Sequence, residues 1–158
     1  VGGATGHLAR EAKCRFPHLR ATVFDLPECI PLAEEMLEGS GVACAGGDFF
    51  RDALPAADLY ALGRILHDWT EAKIGALLGK IHAALAPGGA VLVCEKMVDE
   101  DGAGPTWALL QDLNMLVATE GRERSFSQYR ALLEAAGFRE VTAYRLADSP
   151  LDAILARK

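Results

Sequence analysis

Apolar runs with strand character alternate along the chain with segments of helical period. The clearest helix is predicted where apolar residues recur every three or four positions and therefore share one face. These residues are Ile74, Leu77, Leu78, Ile81 and Leu85. Strands are predicted at 20–25, 42–45, 58–63 and 90–95, and again at 141–146 and 151–156. Helices are predicted at about 7–15, 28–37, 74–85, 106–119 and 126–136, the last opening on a capping box of Ser125 and Gln128.

This alternation predicts an α/β fold. Strands and helices joined by short loops favour a doubly wound, mostly parallel, Rossmann-like sheet, and the last two strands favour an antiparallel pair at its edge. The run at 90–95 is apolar without alternation, which is typical of a strand buried on both faces. Because ligands bind at the carboxyl ends of such strands, the candidate site residues are Asp25, Asp48, His67 and Glu95.

The glycine-rich start of the chain indicates a ligand site. Gly2-Gly3-x-x-Gly6 opens a helix. Asp25 ends the next strand, 19 residues after Gly6, where its carboxylate can accept hydrogen bonds from both hydroxyls of a ribose. Asp48-Phe49 adds an acceptor for an exocyclic amine and an aromatic edge for a flat base. The pattern fits a dinucleotide or S-adenosylmethionine, although a tight turn beside a solvated Asp is the alternative. No Tyr-x-x-x-Lys pair accompanies it, which disfavours a Rossmann oxidoreductase.

His67 is the candidate general base. Imidazole titrates near neutral pH, and a carboxylate on its second nitrogen would fix the tautomer and stabilise the imidazolium. Glu95 and Glu123 are the candidates for that role. In the alternative interpretation, His67 caps the neighbouring helix and the glutamates pair with basic residues, namely Lys96, Arg122 and Arg124. The other histidines, at positions 7, 18 and 82, are interpreted as structural or solvated.

Composition excludes several classes of function. The 158 residues carry 16 Lys and Arg against 22 Asp and Glu, a net charge of -6, which argues against nucleic acid or an anionic membrane as partner. Four cysteines without a C-x-x-C pair favour a reduced, cytoplasmic location. No ligand spacing indicates a metal site, and no apolar stretch is long enough to cross a membrane.

Seven segments together resemble the small-molecule O-methyltransferases of the hydroxyindole and plant phenolic type, which are class I enzymes dependent on S-adenosylmethionine. The most specific feature is His67-Asp68-Trp69 followed later by Glu123-Arg124. The segments span the chain and comprise residues 1–6, 22–27, 47–50, 64–69, 113–116, 119–124 and 152–158.

The resemblance implies methyl transfer from S-adenosylmethionine to a small hydroxyindole or phenol, without metal. Within the family, the indole branch implies N-acetylserotonin as acceptor, with melatonin and S-adenosylhomocysteine as products. The implied cofactor residues are Gly2, Gly3, Gly6, Asp25, Leu26, Gly47, Asp48, Phe49 and Arg64. The implied catalytic residues are His67 as base, positioned by Glu95 and Glu123, and the implied substrate residues are Asp68, Trp69, Asn114, Met115 and Ala118.

The resemblance also implies a domain organisation. Residues 1–158 would form one S-adenosylmethionine-binding catalytic domain that starts after its first strand and lacks the N-terminal domain through which the family forms homodimers. Two positions depart from the family pattern. Ala4 stands where many relatives have a third loop glycine, and Ala118 stands where relatives of the indole branch carry a substrate-facing Gln. A methyltransferase-like paralogue acting on another hydroxyindole or phenol, or a catalytically silent cofactor-binding domain, remain the alternatives.

Overall fold

Two units, Val1–Pro55 and Ala56–Lys158, make up the computed structural model, which describes residues 1–158. The first unit contains α1 (His7–Arg15), β1 (Thr22–Asp25), α2 (Ile30–Met36) and β2 (Ala43–Gly46). Strands β1 and β2 are parallel, with Asp25 opposite Gly46, so both strands end at the same edge. Val23, Ala33 and Leu37 form the core of this unit.

The second unit is built on a four-stranded mixed sheet. Its elements are β3 (Leu59–Gly63), α3 (Glu71–Ala84), β4 (Ala90–Glu95), α4 (Thr106–Ala118), α5 (Phe126–Ala135), β5 (Arg139–Tyr144) and β6 (Asp152–Arg157). The strand order is β3-β4-β6-β5. Strands β3 and β4 are parallel, whereas β6 runs antiparallel to both of its neighbours. The register places Asp152 opposite Glu95.

The helices of the second unit differ in how much of their surface is covered. Four of the five apolar residues of the predicted stripe, Ile74, Leu77, Leu78 and Ile81, lie within α3 and are at most 1% exposed. Helix α5 has the predicted capping box, in which Ser125 and Gln128 each bond to the backbone of the other. Helix α4, by contrast, exposes apolar side chains along its outer face, namely Leu110, Leu113, Leu116 and Val117.

The predicted α/β class, with parallel strands and an antiparallel C-terminal pair, is confirmed. Element bounds differ from the predicted ones by a few residues. The helix predicted to begin at 28 is preceded by a 3-10 turn, Pro27–Cys29. Helix α3 begins at Glu71 because the Thr70 side chain caps it, accepting a hydrogen bond from the Lys73 amide. No helix combines the length and apolar character needed to span a membrane.

Candidate active site

The glycine-rich loop before α1 runs beside β1. The Gly2 amide donates to the Phe24 carbonyl at 2.8 Å. Gly2 and Gly6 have φ angles of 63° and 75°, a region that side chains disfavour. A Cβ atom on Gly6 would lie 2.6 Å from Leu37 Cδ1, so another residue here would have to displace that side chain and adopt a strained φ. Ala4 has a φ of 44°, so it adopts a left-handed conformation despite its side chain.

Asp25 joins this loop to the end of β1. Its Oδ2 atom accepts the Ala4 amide at 2.7 Å, and its Oδ1 atom accepts the Leu26 amide at 2.8 Å. An ionised carboxylate has about four acceptor positions, so each oxygen can accept a further donor. The structure therefore brings five of the sequence-predicted cofactor residues together at one edge: Gly2, Gly3, Gly6, Asp25 and Leu26.

The predicted adenine-flanking residues follow β2 at the same edge. The Gly47 amide donates to the Asp25 carbonyl at 2.8 Å, which fixes the start of this segment. Asp48 uses Oδ1 to accept the Phe50 amide at 2.8 Å, so part of its acceptor capacity holds its own turn. The rings of Phe49 and Phe50 pack edge to face, with centroids 4.7 Å apart.

His67 lies in a single 3-10 turn, Leu66–Asp68, between β3 and α3. It is 4% exposed. The turn follows the carboxyl end of β3, where exposed Arg64 has a φ of 57° and donates its amide to the Cys94 carbonyl at 3.1 Å. His67 therefore occupies a strand-end position, as the sequence pattern predicts.

Glu123 holds the imidazole ring. Its Oε1 atom lies 2.7 Å from His67 Nδ1, and both side chains are buried. The Glu123 amide donates to Asp112 Oδ1 on α4 at 2.8 Å, which fixes the backbone of the glutamate. Because a carboxylate only accepts hydrogen bonds, Nδ1 carries the proton and Nε2 is left to accept one. The Asp68 Oδ1 atom lies 3.6 Å from that Nε2.

Glu95 acts on a different part of the histidine. It is fully buried at the end of β4. Its Oε1 atom accepts the amides of Ile65 at 3.0 Å and Leu66 at 2.6 Å, and the His67 amide lies 3.4 Å away. Its Oε2 atom accepts the Tyr129 hydroxyl. Glu95 thus bonds to the backbone of the turn, whereas Glu123 bonds to the ring.

The pKa of His67 reflects opposing effects. Burial lowers the pKa because it disfavours the imidazolium. The hydrogen bond to Glu123 and the negative charges of Glu95, Glu123 and Asp68 raise it, and their sum prevails. The pKa of His67 therefore lies above its ordinary value, and the imidazole is a stronger base than a free one.

A small cavity of about 80 Å³ lies beside the imidazole. Its lining comprises Arg64, His67, Lys96, Trp107, Gln111, Glu123, Pro150 and Leu151. A larger, open groove of about 690 Å³ shares Lys96, Trp107 and Pro150 with this cavity. Lys96 has little freedom there, because its ammonium donates to Asp152 Oδ1 at 3.0 Å and to two carbonyls of the β5–β6 loop.

Helix α4 carries three of the sequence-predicted substrate residues. Asn114 and Ala118 are exposed and Met115 is buried, and none of them lines the small cavity. Trp107 and Gln111, which do line it, precede Asn114 by seven and three residues and lie on the same helix face. Sequence reasoning missed both, although helical spacing counted back from Asn114 would have found them.

Asp68 and Trp69, the other predicted substrate residues, follow His67 directly. Asp68 is about a third exposed, and the Lys73 ammonium lies 4.6 Å from the centre of the Trp69 ring. This contact is a cation–π interaction that ties Trp69 to the first turn of α3.

His67, Glu95 and Glu123 are also the three side chains whose potential metal-ligating atoms lie within 4.8 Å of one another. His67 Nδ1 is bound to Glu123, and both oxygens of Glu95 accept hydrogen bonds. The group is thus a hydrogen-bonded acid–base cluster. The predicted absence of a metal stays a prediction.

Comparison with known proteins identifies relatives along the whole chain. A family model described as "O-methyltransferase domain" matches residues 1–139. Acetylserotonin O-methyltransferase of Bos taurus is 48% identical over 161 residues, covering 100% of this chain and 46% of the relative. A Homo sapiens protein described as a probable bifunctional dTTP/UTP pyrophosphatase/methyltransferase protein is 47% identical over 162 residues, covering 100% of this chain and 26% of the relative.

A solved structure agrees with these relatives. The crystal structure of human N-acetylserotonin methyltransferase in complex with SAM has a TM-score of 0.95 and 45% sequence identity to this chain. The match covers 100% of this chain and 46% of the human one. This chain therefore spans about half the length of the acetylserotonin O-methyltransferases that it matches, and about a quarter of the bifunctional protein.

Proposed function

The chain belongs to the O-methyltransferase domain family, and from this premise we propose that its protein transfers a methyl group from S-adenosylmethionine to the hydroxyl of N-acetylserotonin, yielding melatonin and S-adenosylhomocysteine. The observation that carries this proposal is the buried His67, held at Nδ1 by Glu123 at 2.7 Å with Nε2 left to accept a proton. Relatives named acetylserotonin O-methyltransferase, up to 48% identical to this chain, support the acceptor.

The residues of the first unit fit S-adenosylmethionine. Asp25 keeps acceptor positions for ribose hydroxyls after its two amide bonds. The glycine loop would hold the amino-acid part through backbone groups, and Gly47, Asp48 and Phe49 would flank adenine. Arg64, which lies in the second unit, is also assigned to the cofactor. When bound, the cofactor supplies a sulfonium that carries an electrophilic methyl group and its own leaving group.

The role of His67 follows from the acidity of the acceptor. A phenolic hydroxyl has a pKa near 10, so at neutral pH it is a weak nucleophile until a base removes its proton. His67 Nε2 accepts this proton as the new oxygen–carbon bond forms. The Nδ1–H bond to Glu123 becomes charge-assisted at that moment, which stabilises the imidazolium.

The substrate side of the site is assigned to the second unit. We assign Asp68 and Asn114 to the polar groups of the acceptor, and Trp69, Met115 and Ala118 to the walls around its ring.

We further propose that residues 1–158 belong to one catalytic domain of a longer, cytoplasmic protein. That protein would form a homodimer through an N-terminal domain outside residues 1–158. The relatives are about twice as long as this chain. Leu116 and Val117 on α4 are 76% and 83% exposed, which leaves an apolar surface for another domain to cover. The four cysteines are free thiols, which suits a reducing compartment. Sedimentation of the full-length protein should give the mass of a dimer, and a monomer would contradict this.

The test of the reaction is methyl transfer from labelled S-adenosylmethionine by the full-length protein. N-acetylserotonin should be methylated, and N-acetyltryptamine, which lacks the ring hydroxyl, should not. His67→Gln should lower kcat by about 100-fold or more, the contribution of a general base, while S-adenosylhomocysteine affinity changes less than about twofold.

Three outcomes would contradict parts of this proposal. Transfer to another phenol but not to N-acetylserotonin would reject the acceptor. Full turnover in His67→Gln would reject the base. Cofactor binding without turnover on any hydroxyindole or phenol would indicate a catalytically silent domain.

A further inference from the structure

Two buried polar side chains near His67 have no role in the chemistry proposed above. Arg124 is 1% exposed and Tyr129 is fully buried. Neither lines the cavity beside the imidazole. Both instead connect to the 3-10 turn that carries His67, from its two opposite ends.

Tyr129 acts at the amino end of the turn, through Glu95. A helical turn leaves its first amides without partners inside the turn, and here Glu95 Oε1 accepts those of Ile65 and Leu66. The Tyr129 hydroxyl bonds to the other oxygen of the same carboxylate. Without that hydroxyl, Oε2 would be a buried oxygen with no donor, and the carboxylate could rotate away from the amides.

The charge state of Glu95 depends on the same contact. Burial raises the pKa of Glu95 above its ordinary value, and the charge that His67 carries when protonated and the Tyr129 hydrogen bond offset part of that rise. The pKa of Tyr129 is raised far above its ordinary value by burial and by Glu95, so the hydroxyl stays protonated and donates. The hydroxyl thus favours the ionised carboxylate, which is the better acceptor for the turn.

Arg124 acts at the carboxyl end of the turn. Its Nη1 atom donates to the Leu66 carbonyl at 3.3 Å, and its Nη2 atom donates to the Trp69 carbonyl at 3.1 Å. These carbonyls lie on either side of His67 in sequence. Arg124 also directly follows Glu123, so one short segment holds both the ring and the backbone of the histidine.

The same segment approaches the turn without intervening side chains. A Cβ atom on Gly121 would lie 2.1 Å from the His67 carbonyl oxygen and 2.6 Å from the Trp69 amide nitrogen. No side chain fits into that space, so the backbone at Gly121 packs directly against the backbone of the turn.

We propose that Tyr129 and Arg124 are positioning residues for His67, holding the amino and carboxyl ends of its turn so that Nε2 faces the acceptor hydroxyl. The inference rests on the proposed function for its effect on rate. Removing the contacts of either residue leaves the Glu123–His67 hydrogen bond in place but lets the backbone of His67 shift. A shift of a fraction of an ångström lowers kcat, because proton transfer depends steeply on the donor–acceptor distance.

The first experiment compares two tyrosine variants of the full-length protein. Tyr129→Phe removes only the hydroxyl and should lower kcat about tenfold, while KM and the affinity for S-adenosylhomocysteine change less than about twofold. Tyr60→Phe is the matched control, because Tyr60 is also buried, at 4% exposure, but lies on β3. It should leave kcat within about twofold of the parent value.

The second experiment compares two arginine variants. Arg124→Lys keeps the charge, but one ammonium cannot reproduce the two-nitrogen contact with separate carbonyls, so kcat should fall about tenfold. Arg122→Lys is the control, because Arg122 is exposed and pairs with Glu71 at the surface. Full kcat in both Tyr129→Phe and Arg124→Lys would overturn the proposal.

An NMR readout separates this inference from the proposed reaction. The His67 ring signal, assigned by its absence in His67→Gln, should move in Tyr129→Phe while the signals of His7 and His18 stay in place. If the parent protein methylates no acceptor, the proposed function fails, and only the His67 signal then tests the positioning role. A change in the chemical shift of His67 in Tyr129→Phe supports that role. An unchanged His67 signal, with only a lower Tm, would show that Tyr129 is merely structural and would overturn its assignment.

Discussion

His67 lies among three carboxylates, and this arrangement determines how the rate should depend on pH. Burial lowers the pKa of the imidazole, but Glu123, Glu95 and Asp68 together raise it above the ordinary value of about 6.5. A general base works only when it is unprotonated. The kcat of the full-length protein should therefore rise with pH through the raised pKa of His67 and level off above it.

Glu123→Gln tests this at a single residue. The amide oxygen of Gln can still accept Nδ1–H, but the negative charge is lost, so the pKa of His67 should fall and the rising limb should move to lower pH. The plateau should also fall about 10- to 100-fold, because a neutral acceptor stabilises the imidazolium less. The measurement is kcat against pH.

Glu120→Gln is the control for that variant. Glu120 lies in the same segment but at the surface, where it pairs with Lys73 at 2.5 Å. Its substitution should move neither the limb nor the plateau. A limb that stays in place in Glu123→Gln, or that moves to higher pH, would contradict the assignment of His67 as the titrating base.

At the scale of elements, much of the fold could be predicted because local patterns determine it. The α3 stripe and the α5 capping box each depend on residues within a few positions of one another, and both are confirmed. Strand ends could be located for the same reason: Asp25 and Glu95 end β1 and β4, and His67 follows β3, as predicted.

The remainder of the site depends on long-range contacts, which no local pattern contains. Glu123 meets His67 across 56 residues, and Glu95 meets the Leu66 amide across 29. The sequence therefore predicts that both glutamates position the base, but it does not show that Glu123 bonds to the imidazole ring and Glu95 to the backbone of the turn. Tyr129 gave no signal, because a tyrosine in a helical pattern is ordinarily a core residue, and Arg124 was singled out only as part of the Glu123-Arg124 motif or as an ion-pair partner of the glutamates.

The loop before α1 gives a prediction at the scale of an element. Ala4 has a φ of 44°, where an L side chain costs about 1–2 kcal/mol, whereas glycine adopts this conformation without strain. Ala4→Gly should therefore raise the free energy of unfolding by about 0.5–1 kcal/mol, after the larger entropy of the unfolded glycine chain is counted.

Gly6→Ala should lower the free energy of unfolding by about 2 kcal/mol or more, because its Cβ would meet Leu37. Urea unfolding measures both, and a destabilising Ala4→Gly would contradict the strain at Ala4.

At the scale of the whole molecule, the proposed roles divide between the two units. The proposed cofactor residues, Arg64 excepted, lie in Val1–Pro55, whereas the proposed base and its holding residues lie in Ala56–Lys158. Binding and chemistry are therefore expected to respond to different substitutions. A defect in one unit should leave the function of the other measurable.

Asp25→Asn and His67→Gln form the pair that tests this division. S-adenosylhomocysteine at 100 times its Kd should stabilise the parent protein by about 2.7 kcal/mol, and His67→Gln should keep this stabilisation while it loses turnover. Asp25→Asn replaces one acceptor oxygen of the carboxylate, which should weaken binding about tenfold or more and remove at least about 1.3 kcal/mol of the stabilisation. Glu11→Gln, on the exposed face of α1, should behave as the parent does. Each variant is compared with its own ligand-free unfolding curve, so a change in basal stability does not enter. Undiminished stabilisation in Asp25→Asn would remove Asp25 from the cofactor site, and its loss in His67→Gln would show that binding and chemistry are not separable.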